Sequence, residues 1–211
     1  MKANVNKLTY RIAVLALLMA LIAVFWYGIG TIPLGFIKIT ISCLPVIIGT
    51  IVLGAEDGLI LGAFFGFLSF LSGPAGGLTA PIFSAHVLWG AVLCFVPRLL
   101  VPLVTHAVYR MSRKHEKKHP WMLAVTGTLG SLTNTVFFLG FIILLYALLG
   151  INGDQVAKEI DLKNGLEGSR TLMAMIGTTV LVGGIPEAVL SAIATPAVIV
   201  ALRKAHLTIE K

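Results

Sequence analysis

Apolar residues run along this chain in long, nearly unbroken stretches, divided by short polar segments and without the two-residue alternation of a half-buried strand. Taking about 20 largely apolar residues as a bilayer crossing, the pattern predicts six helical spans, at 12–28, 36–53, 59–71, 87–108, 122–149 and 172–202. The third is short unless residues 54–58 or the apolar loop after it contribute, and the last two are long enough to tilt or to extend past the bilayer. The first stretch follows Lys2, Lys7 and Arg11 and so has the charge order of a secretory leader. It is read as a span, because no cleavage pattern of the Ala-x-Ala kind closes it and Trp26-Tyr27 ends it as interfacial aromatics do.

Lysine and arginine gather on one side of a six-span topology, the side that stays in the cytoplasm. Lys2, Lys7 and Arg11 precede the first span, Arg110, Arg113, Lys114, Lys117 and Lys118 join the fourth to the fifth, and Arg203, Lys204 and Lys211 follow the sixth. The other side has two uncharged connections, 28–35 and 72–85, and a mixed loop with Asp154, Lys158, Glu159, Asp161, Lys163, Glu167 and Arg170. Both termini are therefore expected in the cytoplasm. Glu56-Asp57 depart from the bias, but acidic residues weigh little in this rule. Residues 154–162 fit two amphipathic turns.

Composition agrees. Of 211 residues 57% are hydrophobic and 12% charged, with a mean hydropathy of +0.97, against roughly 45 to 50% and 25% in globular proteins. The expected fold is an all-α integral membrane protein of six transmembrane helices in membrane lipid. A single domain spans 1–211, since neither 110–119 nor 152–170 is long enough to fold alone. The net charge of +7 lies in the clusters that the topology already requires. With no basic stripe on a soluble face, no nucleic-acid partner is expected. Cys43 and Cys94 lie inside spans, lack metal-ligand spacing and read as packing residues.

Against this background Arg98 and Glu187 stand out, each deep in an apolar stretch where a charge is costly enough to imply a role. At 1.5 Å per residue, Arg98 lies about 18 Å from Arg110, Asn134 about 20 Å from Trp121, and Glu187 about 24 Å from Arg203, so all three come out near mid-membrane. Pro97 and Pro186 precede the two charges, and each removes a backbone donor and frees a carbonyl. Such interrupted helices line protected cavities. Two readings stay open: a structural ion pair between the fourth and sixth spans, or a ligand site, which Arg98 with its five donors can serve while holding Glu187. Phe83, Ser84, His86 and Trp89 follow a Gly- and Pro-rich loop near the outer surface, where His86 fits a surface residue and Trp89 an aromatic belt equally well.

Small residues mark two helix faces. Ala16 and Ala20, extended by Ala13 and Ala23, suit either internal packing or docking onto another membrane subunit, while Gly58, Gly62 and Gly66 suit close packing within the protein. Catalytic sets are missing from the sequence: no Gly-x-Ser-x-Gly, His-Glu-x-x-His or phosphate-binding Gly-Lys-Ser/Thr loop occurs, and Ser84 and His86 stand only two residues apart. Neither catalysis nor a cofactor or metal is expected, an intramembrane enzyme being the rival reading.

Residues 32–54 (IPLGFIKITISCLPVIIGTIVLG), 94–100 (CFVPRLL), 132–136 (LTNTV) and 183–198 (GGIPEAVLSAIATPAV), with Ala-x-x-x-Ala at Ala16 and Ala20, resemble the substrate-binding S components of energy-coupling factor vitamin transporters, most of all the subfamily that includes the pantothenate-specific component. The resemblance implies a multi-pass protein of the bacterial plasma membrane that captures a vitamin outside and docks through Ala16 and Ala20 onto a transmembrane coupling subunit with two cytoplasmic ATPases. It implies that the chain topples in the membrane to release its cargo. With pantothenate as ligand, Arg98 pairs with its carboxylate while Asn134 and Glu187 bond its amide or hydroxyls, and Phe83, Ser84, His86 and Trp89 join the site. Riboflavin, folate, cobalamin and hydroxymethylpyrimidine remain the alternative cargoes.

Overall fold

A chain in lipid has to satisfy its backbone N–H and C=O groups within itself, so long apolar runs become helices. The computed structural model describes residues 7–28, 31–33, 38–116, 121–163 and 171–204. Lys2, Lys117, Lys118, Glu167, Arg170, Lys211 and part of the 28–35 connection lie outside the described residues. The chain runs α1 (Lys7–Tyr27), the antiparallel strands β1 (Thr31–Pro33) and β2 (Lys38–Thr40), α2 (Cys43–Leu53), α3 (Ala55–Ser72), a 3-10 turn (Gly73–Ala75), α4 (Ala80–Ala85), α5 (Val87–Glu116), α6 (Trp121–Leu148), α7 (Gly153–Lys163), α8 (Leu172–Thr179), a π-helical turn (Val180–Gly184) and α9 (Ile185–Lys204). Among the described residues, five helical stretches are long and apolar enough to cross a membrane: α1, α3, α5, α6 and the continuous α8–α9 rod.

The second predicted span differs from the pattern. Thr31 lies opposite Thr40 and Ile32 opposite Ile39 in a small antiparallel ribbon, so helix begins only at Cys43. β-Branched Ile39, Thr40 and Ile41 favour extended backbone, and α2 keeps 11 residues, about 16 Å at 1.5 Å per residue. The ribbon is the one addition to an otherwise helical fold among the described residues. The third span gains what the second loses. Gly54, at φ 110, reverses the chain in the left-handed region open to glycine, and α3 starts at Ala55. The mixed loop contains α7, in agreement with its amphipathic pattern, and Gln155 N–H donates to Asn152 Oδ1 at its start.

Glycines set the helix spacing. A Cβ on Gly62 would sit 2.5 Å from the Arg98 carbonyl oxygen, and one on Gly66 would sit 3.2 Å from that of Cys94. Gly62 and Gly66 of α3 therefore meet the α5 backbone directly, while Gly58 packs against the side chains of Thr50 and Pro102, so that α3 runs antiparallel to α5. Gly62→Val is expected to force the two helices apart, costing about 1–3 kcal/mol and lowering the midpoint of thermal unfolding by roughly 3–10 °C in detergent.

Two contacts fix which ends lie together. Arg11 donates from Nε to Asp57 Oδ2 at 2.6 Å and from Nη2 to Asp57 Oδ1 at 2.7 Å, with Glu56 at 3.6 Å. Arg203 Nη2 donates to Tyr109 Oη at 2.9 Å. Since α3 and α5 are antiparallel, the starts of α1 and α3 and the ends of α5 and α9 share one end of the bundle. One apolar cluster, with Leu18, Ile22, Val46, Ile47, Leu61, Val101, Leu123 and Ile199, fills the half nearer that end. A second, with Leu78, Ile82, Leu93, Ile142, Tyr146, Ala157 and Ile160, fills the other. Leu17, Phe67, Leu103, Val136, Phe137 and Ile193 point outward, an apolar belt of the kind that lipid accommodates and water does not.

Candidate ligand-binding site

A cavity of about 100 Å³, taken as the space open to the centres of water molecules, lies between the two apolar clusters. Arg98 of α5, Asn134 of α6 and Glu187 of α9 all line it, so three polar groups from three helices meet as their common depth predicts.

Arg98 and Glu187 are each placed by a local device. Pro97 has no N–H for the carbonyl of Leu93, four residues earlier, and Arg98 Nη1 donates to that oxygen at 3.2 Å. The guanidinium lies 4.2 Å from the ring centroid of Phe138 and 5.3 Å from that of Phe65. Cation–π attraction to two rings thus helps to hold it. Phe65 in turn stacks edge-on against Trp26, centroids 5.7 Å apart. Glu187 follows Pro186 and the π-helical turn, whose Gly183 and Gly184 line the cavity wall; such turns often mark functional positions.

Arg98 and Glu187 form no ion pair with each other among the described residues, although both are buried, at 4% and 7% exposure. Among the described residues, Arg98 Nε, Asn134 Oδ1 and Glu187 Oε1 have no hydrogen-bond partner. A buried polar group left unbonded costs about 1–3 kcal/mol. The residues that carry this one donor and these two acceptors all line the same cavity. The ion pair between the fourth and sixth spans is thus not formed among the described residues.

The far end of the cavity is lined by the loop between α3 and α5. Ser72, Gly73, Gly76 and Thr79 line it, and Thr79 Oγ1 donates to the Gly73 carbonyl at 2.6 Å. Tyr146 Oη donates to the Leu78 carbonyl at 2.8 Å, tying this roof to α6. Trp26, read from sequence as interfacial, is buried and donates from Nε1 to Ser72 Oγ at 3.0 Å. Tyr146→Phe strands a buried carbonyl, so exchange of the roof amides of Ile82 and Phe83, which bond to Thr79 O, is expected to speed up at least about fivefold in hydrogen–deuterium measurements.

The remaining expected residues lie elsewhere. Phe83 is buried against Phe70, with ring centroids 5.5 Å apart, and against Gly73 and Gly90, so it packs the roof onto α5. Ser84, His86 and Trp89 are exposed, and none of the four lines the cavity. Cys94 forms part of the wall, whereas Cys43 is packed in the core; both are free thiols. No group of three or more His, Cys, Asp or Glu suited to a metal occurs among the described residues. Phe65, Phe138, Ser72, Thr79 and Thr179 line the site without having been singled out in the sequence. Ser72 and Thr79 alone offered a signal, as hydroxyls in the loop that follows a span.

Ala16 and Ala20, with Ala13, are exposed on the outer face of α1, while Leu18, Ile22 and Trp26 carry its buried face. The small-residue face is thus available to a neighbour.

The family model for the substrate-specific component of ECF transporters matches residues 10–199. The chain is 28% identical to the pantothenic acid transporter PanT of Lactococcus lactis subsp. cremoris, strain MG1363, over 92% of this chain and 94% of the relative. The chain therefore belongs to the family of substrate-specific components of energy-coupling factor transporters, and is a multi-pass transport protein of the bacterial plasma membrane and not an enzyme.

Proposed function

We propose that this chain is a pantothenate-binding subunit, which takes its vitamin from the outer side of the membrane and delivers it by docking onto a transmembrane coupling subunit energised by two cytoplasmic ATPases. The observation that carries this reading is the meeting of Arg98, Asn134 and Glu187 at one buried cavity end. Pantothenate brings a carboxylate for Arg98, an amide N–H for the acceptor oxygens of Asn134 and Glu187, hydroxyls for the rest of the polar lining, and apolar carbon for Phe65 and Phe138. Similarity to a pantothenic acid transporter points the same way. Phe83 supports the roof, and Ser84, His86 and Trp89 make no contact with the bound vitamin in this reading.

Orientation follows from charge. Lys7, Arg11, Arg110, Arg113, Arg203 and Lys204 gather at the end of the bundle shared by the first and last described residues, which makes that end cytoplasmic and the roofed end external. α2 with its ribbon then makes the sixth crossing. Exposure of Ala16 and Ala20 supports their role as the docking face. Radiolabelled pantothenate binding to the purified protein tests the reading: saturable, one-to-one binding supports it, and its absence with a properly folded sample overturns it.

A further inference from the structure

The cavity has two unlike ends. On α5 its lining stops at Arg98, on α6 at Asn134 and on α9 at Glu187, residues at one depth. Beyond them the bundle is closed. Val101, Thr105, Ser131, Ser191 and Thr195 are buried at 0–1% exposure. A Cβ on Gly130 would stand 2.6 Å from Thr105 Oγ1, and one on Gly127 would stand 2.5 Å from the Ser191 carbonyl oxygen. A gap too small for one methyl group between these helices leaves no room for a ligand chain to continue inward.

The roofed end offers hydroxyl oxygens. Thr79 Oγ1 has given its proton to Gly73 O, and Thr179 Oγ1 has given its proton to Met175 O at 2.9 Å. Both therefore present lone pairs, which suit ligand O–H donors. From Thr179 to Glu187 is eight residues, a depth of at most about 12 Å at α-helical rise, suited to an extended, acyclic ligand.

We propose that the cavity takes its ligand in one direction only, carboxylate inward on Arg98 and hydroxyls outward under the roof, and so admits the free acid while rejecting any molecule elongated through that carboxylate. This rests on the pantothenate reading above. Acyl amides that carry the same hydroxyl-bearing half but continue past the carboxyl carbon are thereby excluded as cargo, and the protein supplies the unelaborated acid alone.

The test is competition against radiolabelled pantothenate on the intact protein, using three probes: the alcohol in which CH2OH replaces the carboxylate, the primary amide, and the N-pentyl amide. The alcohol and the primary amide lose charge without gaining length, and each is expected to bind at least about 100-fold more weakly than the acid. The N-pentyl amide is as neutral as the primary amide but longer, and is expected to fall at least a further tenfold. If the N-pentyl amide competes as well as the primary amide, the carboxyl end does not face the closed floor and the inferred direction is overturned. If the alcohol competes as well as the acid, Arg98 does not read the carboxylate and the inference fails. If labelled pantothenate itself does not bind, the functional reading fails first and takes this one with it.

Discussion

Arg98→Ala is expected to weaken pantothenate binding by roughly 30- to 5,000-fold, the range set by about 2–5 kcal/mol for truncating one member of a buried, hydrogen-bonded charge pair. The substitution removes the one Arg or Lys that lines the cavity among the described residues and leaves two further groups unserved, the Leu93 carbonyl and the faces of Phe65 and Phe138. Arg98→Lys separates charge from geometry. An ammonium keeps the charge but not the planar fork that bonds Leu93 O while lying between two rings, so it is expected to recover only a minor part of the affinity. Isothermal titration of each variant, with thermal unfolding of the ligand-free protein as the folding control, gives the measurement. Unchanged affinity in a folded Arg98→Ala protein removes Arg98 from the site.

Ala16→Trp and Ala20→Trp are each expected to abolish pantothenate uptake by the assembled transporter while leaving affinity within about twofold. Both side chains are exposed on α1, opposite the face that carries Leu18, Ile22 and Trp26, so a large side chain there disturbs little inside the protein. It does hold off the backbone of any helix that packs on that face, which is how small residues act where lipid gives no hydrophobic drive to association. Uptake in cells expressing the coupling subunit and ATPases, measured beside binding to the purified variant, separates the two effects. Transport that survives both substitutions puts the docking surface elsewhere.

The sequence was most legible where a single physical rule dominates. Lipid demands long apolar segments, so the positions of the major helices could be read, though α1 starts five residues earlier and α5 ends eight residues later than the apolar stretch, and counting 1.5 Å per residue was enough to bring Arg98, Asn134 and Glu187 to one depth. What it could not supply was rotation about each helix. Phe65 and Phe138 are apolar residues in apolar spans, and nothing local distinguishes a ring facing lipid from one lying against a guanidinium. Trp26 was ambiguous for the same reason: an indole N–H suits an interface as well as a buried bond to Ser72. Strand in place of helix over residues 38–40 escaped the reading because an apolar, β-branched run fits a buried strand and a helix alike. The roof was hidden because 72–85 reads as a Gly- and Pro-rich loop, and its closure depends on a partner 68 residues away from Leu78, the Tyr146 hydroxyl.

Thermal unfolding of the purified protein with each water-soluble vitamin in turn tests the assignment of this cavity to pantothenate most directly, since a ligand that binds only the folded state stabilises it in proportion to the logarithm of its saturation. At about 1,000 times its dissociation constant, pantothenate is expected to add roughly 4 kcal/mol and raise the midpoint by about 8 °C or more, with the other vitamins without effect. A midpoint unmoved by pantothenate and raised by riboflavin, folate, cobalamin or hydroxymethylpyrimidine contradicts it.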